Sequence, residues 1–145
     1  DGVSFTNLVR NADTFDLSFF CPDPFAYAIQ DEEFILKASG DIKRTLGNVE
    51  SHPVYEIKGN MADSSQEVKF LVNGESVTLC GPLSESDVLV IDTDDMTVKI
   101  GTENALGQMK ELNFPYLKAG TNTITFSEST GTLTSVCVKA KSRWL

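Results

Sequence analysis

The clearest strand and turn signals of the chain lie in the stretch from Val88 to Phe126, which reads VLVIDTDDMTVKIGTENALGQMKELNFPYLKAGTNTITF. It opens with four aliphatic residues at 88–91, a composition typical of a strand that is buried on both faces. The aspartate-rich segment at 92–95 predicts a tight turn, because Asp side chains bond to nearby backbone amides. Residues 96–100 then alternate between apolar and polar, as in a half-buried strand. These signals predict antiparallel strands joined by turns.

The second half of the stretch continues the same pattern. Pro115 cannot donate a ladder hydrogen bond, so it marks a sheet edge or a crossing. A turn is predicted at 118–122, and Ile124 and Phe126 alternate inward after it. The apolar residues of these and the neighbouring strands are predicted to share one core: Phe70, Val90, Ile91, Val98, Ile124, Phe126 and Val138.

Strand signals recur every ~8–12 residues along the rest of the chain, with Gly, Asn, Asp or Pro between them. The dipeptide Asn73-Gly74 separates two alternating apolar runs, 68–72 and 77–79, and is the strongest short-range hairpin signal. No window shows the apolar stripe of a helix, and residues 104–110 can form at most a turn or two. The sequence therefore predicts an all-β, antiparallel β-sandwich.

The N-terminal region carries one further strand signal. Residues 15–21 alternate between apolar and polar, and Pro22 and Pro24 end that strand because each removes a backbone donor. We therefore expect a linker, or the end of a preceding domain, at 1–24. The sandwich domain is expected at 25–145.

Length and charge exclude several classes of protein. A chain of 145 residues with 41% hydrophobic residues is long enough for one domain with a full core. The formal net charge of −9 argues against binding to nucleic acid, which depends on Lys and Arg. No run of about 18 apolar residues is present, so no membrane insertion is expected, and no signal peptide is visible. The chain begins with Asp1, which suggests a fragment or a processed form.

The three cysteines, Cys21, Cys80 and Cys137, are widely spaced. They lack the close pairs of a zinc site and the even number typical of a secreted disulfide scaffold. Each lies in an apolar, strand-like run, so we expect buried free thiols without a disulfide or a bound metal.

The sequence contains no pattern that indicates catalysis. Ser51 precedes His52, the single histidine, but adjacent side chains on an extended backbone point to opposite faces and cannot easily pair. Asp92, Asp94 and Glu103 match three positions of a calcium loop, but threonine stands where such loops need glycine, so an acidic hairpin turn is preferred. A distant acid pair of a glycosidase remains an open alternative. We expect no enzyme and no cofactor.

The aromatic residues bear on carbohydrate binding, because sugars stack on exposed rings. Trp144 is predicted to share a strand face with Val138 and Ala140, and so to be a core or interface anchor rather than a platform for a sugar. The tyrosines that a glycan would use show no common spacing: Tyr27, Tyr55 and Tyr116. The sequence singles out no ligand-binding residues.

Five stretches of the chain are similar to parts of one known family. Residues 17–25 look like an apolar strand that runs into an Asp-Pro-aromatic corner, and 47–59 look like the strand that opens a C-terminal domain. Residues 90–93 and 114–124 match the later strands, and the ending 141–145 looks like an Arg-Trp close. In this order and spacing, the stretches resemble the distal tail proteins of long-tailed bacteriophages and their prophage relatives.

That resemblance implies an architecture. In the family, an N-terminal belt domain forms a hexameric ring at the tail tip, and a C-terminal galectin-like (jelly-roll) sandwich lies outside it. Residues 25–145 would be that sandwich, and residues 1–24 the end of the belt domain or the connector to it. A hexamer is expected only with the belt domain, which we do not expect in this chain, so a monomer or weak oligomer is expected. Family membership implies no catalytic residues.

The resemblance also implies a function. The chain would be a structural adaptor module of a phage tail tip, assembled in the bacterial cytoplasm, that docks baseplate, tail-fibre or receptor-binding proteins. The alternative is a carbohydrate-binding module that contacts host cell-wall glycans, because the same fold serves lectins. Exposed, coplanar aromatic residues on one sheet face would favour the lectin, and a smooth charged face would favour the adaptor.

Overall fold

The computed structural model describes residues 17–145 of the chain. This part contains β-strands, turns and one 3-10 helix at Leu106–Gln108, without an α-helix. The strands, in chain order, are β1 Ala26–Tyr27, β2 Glu33–Leu36, β3 Gly40–Arg44, β4 Val54–Asn60, β5 Glu67–Val72, β6 Glu75–Cys80, β7 Leu89–Asp92, β8 Thr97–Ile100, β9 Glu103–Asn104, β10 Gly120–Phe126, β11 Thr132–Lys139 and β12 Arg143–Trp144.

The strands of the described residues form three antiparallel sheets. The six-stranded sheet has the order β2-β11-β4-β7-β8-β9, and the four-stranded sheet has the order β3-β10-β5-β6. A small third sheet pairs β1 with β12. The strands β5 and β6, and likewise β7 and β8, are joined as hairpins, whereas the turn after β2 carries the chain into the other large sheet.

The two large sheets pack face to face around one hydrophobic core. Successive side chains of a strand point to opposite faces, so a strand with one face on the core can bury every second residue, as β5 does with Val68, Phe70 and Val72. Across the core, the ring centroids of Tyr55 in β4 and Phe70 are 5.8 Å apart in a tilted arrangement, a favourable geometry for aromatic pairs. The prediction of an all-β, antiparallel β-sandwich is confirmed.

The predicted core is confirmed for most of its members. Five of them are buried: Phe70, Ile91, Val98, Ile124 and Val138. Phe126 is half-buried and packs against this core, whereas half-buried Val90 does not belong to it, so the assignment of Val90 to the core is wrong. Leu89 and Ile91 are buried while Val90 lies on the outward face, because only one face of β7 packs on the core. The run at 88–91 is therefore not buried on both faces.

The Asn73-Gly74 dipeptide forms the predicted hairpin between β5 and β6. The φ angles of these residues are 52° and 90°, as a type I′ turn requires. The Asn73 side chain fixes the turn to β10, because it donates to Asn122 Oδ1 at 2.9 Å and accepts from the Thr123 amide at 3.0 Å.

The hairpin between β7 and β8 differs from the prediction. Met96 was expected to alternate inward with Val98, but its side chain is 64% exposed and its φ is 53°. The turn extends through Met96, and β8 begins only at Thr97.

The N-terminal strand prediction is wrong over its described part. Residues 17–21 form no strand, and Phe19 and Phe20 are 88% and 91% exposed. The start of the predicted strand, Phe15, lies outside the described residues. A strand needs a partner for its backbone, and within residues 17–145 no strand pairs with this segment.

The face predicted for Trp144 is also wrong. Lys141 adopts a φ of 48° after the end of β11, so the chain turns there. Trp144 then lies half-buried in β12, opposite Ala26, and not on the strand that carries Val138.

The sandwich begins before β4, because the earlier strands β2 and β3 are edge strands of the two large sheets. The domain boundary between residues 24 and 25 stays a prediction. Among residues 17–145, no helix has the length and apolar character needed to cross a membrane.

Candidate functional site

One end of the sandwich gathers most of the unusual backbone geometry. There β3 ends at Arg44, β4 begins at Val54 and β11 ends at Lys139, with the β1–β12 sheet beside them. The non-glycine residues with positive φ among the described residues all lie in turns at this end: Asn73, Met96 and Lys141. Such strained conformations often cluster at functional sites. We call this end the connector end, because residues 17–25 join the sandwich here, and the opposite end the far end.

The small sheet attaches the N-terminal segment to the last residues of the chain. Ala26–Tyr27 pairs with Arg143–Trp144, and the Ala28 amide donates to the Ser142 carbonyl at 3.1 Å. A two-stranded sheet of this size is at best marginally stable by itself. Side-chain contacts around it must therefore contribute to holding it.

An open cleft of about 390 Å³ lies beside the small sheet, lined by Phe25, Val49, Glu50, Arg143 and Leu145. The Arg143 guanidinium carbon lies 4.1 Å from the centre of the Phe25 ring, a cation–π contact. The Nε of Arg143 donates to the Glu50 carbonyl at 2.8 Å. The cleft therefore combines three apolar side chains with one charge of each sign.

The loop at 46–50 holds the final strand in place. The Asn48 amide donates to the Arg143 carbonyl at 3.2 Å, and its side chain accepts from the Leu145 amide at 3.1 Å. Gly47 has a φ of 82°, and a Cβ at this position would lie 2.7 Å from the Arg143 carbonyl oxygen. The loop at 46–50 therefore requires glycine at position 47.

Two consecutive acidic residues, Asp31 and Glu32, also stabilise the connector end through hydrogen bonds. Asp31 accepts a hydrogen bond from the Ser142 amide at 2.6 Å. The Glu32 carboxylate accepts from the Thr45 hydroxyl at 2.6 Å, the Thr45 amide at 2.9 Å and the Leu46 amide at 3.1 Å. Burial alone raises the pKa of Glu32, but these hydrogen bonds favour the charged form and lower its pKa below 4.5 overall.

Arg44 is a buried charge at the connector end. Its side chain points inward from β3, the residue is 2% exposed, and one Nη donates to the Val49 carbonyl. Its Nε and other Nη have no partner among the described residues. Burial lowers the pKa of Arg44, although the nearby Asp31 and Glu32 raise it. A buried polar group without a partner costs about 1–3 kcal/mol, so Arg44 makes this end less stable than full pairing would.

Half of the exposed large apolar side chains among the described residues lie in one short segment, between residues 17 and 29. They are Leu17, Phe19, Phe20, Tyr27 and Ile29. Single exposed apolar residues are common on soluble proteins, but several in one short segment are typical of an interaction surface.

The outward faces of the two large sheets both carry ion pairs. On the six-stranded sheet Lys139 binds Glu56, and at the connector end of this sheet Lys141 Nζ lies 3.4 Å from Asp92. On the four-stranded sheet Lys110 Nζ lies 2.8 Å from Glu67 of β5. The four-stranded sheet presents mainly threonine and charged side chains: Asp41, Lys43, Lys69, Thr121, Thr123 and Thr125. Within residues 17–145, no outward strand position of either sheet holds an aromatic residue.

Ser51 and His52, the pair rejected as catalytic from the sequence, are not hydrogen-bonded to each other. The Ser51 hydroxyl is buried and donates to the Ala140 carbonyl at 2.6 Å, not to His52. Ser51 forms an isolated bridge with Leu117, which places half-buried His52 opposite Tyr116 at the connector end.

The calcium-loop candidates are separated. Asp92 Oδ1 accepts from the amides of Asp94 and Asp95 at 3.0 and 3.3 Å, as expected of an acidic turn. Glu103 lies in β9, opposite Ile100 at the far end. No three metal-ligating side chains come together within residues 17–145.

The aromatic residues considered for glycan binding differ in how far they are buried. Tyr55 is fully buried and donates its hydroxyl to the Pro115 carbonyl at 3.0 Å, and burial raises its pKa. Tyr27 and Tyr116 are exposed at the connector end, and Trp144 is half-buried there.

The three cysteines have free thiols in different environments. Cys137 is buried as expected, and burial, with a hydrogen bond to Glu33 at 3.2 Å, raises its pKa to about 12. Cys80 is half-buried and Cys21 is exposed, so the prediction that all three are buried is wrong for these two.

Sequence reasoning missed several residues that build the connector end. The partners of Asp31, Glu32 and Arg143 are distant in sequence, so no local pattern indicates these contacts, although Arg143 belongs to the Arg-Trp ending. The single available signal was an arginine at an inward position of β3, where the alternation predicts an apolar residue.

A search among curated proteins and a search among solved structures found no significant match. A family comparison did find one: the siphovirus-type tail component, C-terminal domain, matches residues 46–144, well over half of the chain. The match covers β4 to β12 and the loop at 46–50, and it agrees with the resemblance to distal tail proteins. The chain therefore belongs to the siphovirus-type tail component family, through the C-terminal domain of that family.

Proposed function

We propose that this domain, a structural component of the phage tail, is an adaptor at the tail tip that docks baseplate, tail-fibre or receptor-binding proteins. In this proposal the sandwich is the galectin-like domain of a distal tail protein, placed outside a hexameric belt. The particle would be assembled in the bacterial cytoplasm. The connector end would attach the sandwich to its neighbours in the tail.

The observation that carries this proposal is the uneven distribution of apolar surface. Phe19 and Phe20 are almost fully exposed in the segment before β1, while within residues 17–145 no outward strand position of the two large sheets holds an aromatic residue. Leaving two phenylalanine rings in water forgoes about 1.5–3 kcal/mol each, so a protein surface that covers them gains affinity.

The carbohydrate-binding alternative finds less support. Lectin sites place an aromatic ring over a groove with polar side chains around it. Within the described residues, the sheet faces offer no such ring, and Trp144 is half-buried in β12. The exposed Tyr27 and Tyr116 keep this alternative open to experiment.

The test is surface plasmon resonance with the chain immobilised and the other tail-tip proteins of the same virus in solution. We expect saturable binding of at least one of them. The double variant Phe19→Ser/Phe20→Ser is expected to weaken this binding roughly tenfold or more, because the partner can no longer cover two phenylalanine rings.

Ile35→Ser is the matched control, because Ile35 is also exposed but lies on edge strand β2. It should leave the affinity unchanged. Equal loss in both variants, or no binding to any tail-tip protein, would contradict the proposal.

A further inference from the structure

We call the segment from Pro22 to Ala28 the elbow. Hydrogen bonds to one of its own side chains hold its residues together. The Asp23 carboxylate accepts from the Phe25 amide at 3.1 Å and from the Tyr27 hydroxyl at 3.0 Å. The flanking prolines at 22 and 24 fix their own φ angles and restrict the residues before them. The backbone of the elbow therefore has few free rotations.

The elbow is also tied to the sandwich, at successive positions. The Phe25 ring lies against the Arg143 guanidinium, whose Nε is held by the Glu50 carbonyl. Tyr27 pairs with Arg143 in the small sheet, and the Ala28 amide donates to Ser142. Arg143 thus contacts the elbow through its backbone and its side chain together.

The composition around the elbow does not suit a flexible linker. Flexible linkers are rich in Gly and Ser, whereas residues 17–28, LSFFCPDPFAYA, contain no glycine and one serine. Proline-containing segments behave instead as semi-rigid spacers.

From these contacts we infer that the elbow is a rigid joint that fixes the direction in which residues 17–21 leave the sandwich. Asp23 and Arg143 are its positioning residues. The inference rests on the proposed adaptor function, because a fixed direction would hold the sandwich at a constant angle to the part of the tail it is attached to.

The test is double electron–electron resonance on the chain without any partner. One nitroxide is placed on the exposed Cys21 and the other on Thr125→Cys, an outward position of β10, in a Cys80→Ser background. Buried Cys137 is left in place. A reference pair at Lys99→Cys and Thr125→Cys, with Cys21→Ser added, gives the width of a distance distribution within the rigid sandwich.

We expect the Cys21 pair to give one distribution about as narrow as the reference. Asp23→Ala and Arg143→Ala should each widen it about twofold, since each releases one set of elbow contacts. Lys118→Ala, an exposed residue just before β10, is the control and should leave the width unchanged.

A broad or multiple distribution in the unsubstituted elbow would overturn the inference, as would unchanged widths in both Asp23→Ala and Arg143→Ala. Asp23 is exposed, so Asp23→Ala should leave the sandwich folded, and circular dichroism checks this for each variant. Because no partner is present, a narrow distribution would stand even if the chain failed to bind other tail proteins.

Discussion

The Asp31 carboxylate accepts a hydrogen bond at 2.6 Å from the backbone amide of Ser142, across 111 positions of sequence. The next residue, Glu32, binds the end of β3 through Thr45. Two adjacent carboxylates thus hold the connector end together, Asp31 through the end of the chain and Glu32 through the end of β3. The hydrogen bonds of Glu32 make this end sensitive to the protonation of that carboxylate.

Acid should destabilise the protein partly through Glu32. Its hydrogen bonds lower the pKa below 4.5 in the folded state, so its contribution to stability is complete above the pKa of the unfolded chain. The contribution is lost as the pH falls through the lower, folded pKa. We expect the free energy of unfolding of Glu32→Gln to fall less steeply below pH 4.5 than that of the parent chain. Urea denaturation between neutral pH and about pH 3 measures this, and parallel curves would contradict it.

A side chain at the second position of the Asn73-Gly74 turn should destabilise the protein. Gly74 has a φ of 90°, and a Cβ added there would meet no heavy atom within 4 Å, so backbone strain alone decides the cost of Gly74→Ala. We expect a loss of about 1–2 kcal/mol in the free energy of unfolding, measured by chemical denaturation. Gly107→Ala is the control, because that glycine has equal space without a positive φ, and it should be nearly neutral. Equal losses in the two variants would contradict the role assigned to the positive φ.

Truncating an inward side chain of a strand should lower the free energy of unfolding far more than truncating an outward one. Phe70→Ala removes a fully buried ring that packs against Tyr55, and should cost about 3–5 kcal/mol. Val90→Ala, on the outward face of β7, should cost much less. Chemical denaturation that gave Val90→Ala the larger effect would contradict the description of β7 as buried on one face.

The three thiols should react in the order of their exposure. Cys21 is expected to react first, Cys80 more slowly and Cys137 last in the native protein. With a pKa of about 12, Cys137 has a thiolate fraction of roughly 10⁻⁴ at about pH 8. Alkylation followed by mass spectrometry gives the order. Titration of the unfolded, non-reduced chain should count three thiols, and a count of one would reveal a disulfide.

Much of the sandwich was predictable because its signals are local. The Asn73-Gly74 turn and the alternation in β5 depend on neighbouring residues, and the structure confirms both. The alternation at Met96 misled the prediction, because a positive φ at a methionine leaves no mark in the sequence. The same applies to Lys141, whose turn separates Trp144 from β11.

The connector end was not predictable in the same way. Phe25, Glu50 and Arg143 meet only after the sandwich has formed, so their spacing in sequence carries no signal. The N-terminal strand prediction failed for a related reason. Residues 17–21 have the pattern of a strand, but a pattern cannot supply the neighbouring strand.

We propose that this tail domain docks proteins rather than sugars, and parallel calorimetry distinguishes the two functions. The same preparation is titrated with the tail-tip proteins of the virus and with host cell-wall polysaccharide. We expect saturable binding to at least one of the proteins and none to the polysaccharide. Saturable sub-millimolar binding to the polysaccharide, lost in a folded Trp144→Ala variant, would contradict it.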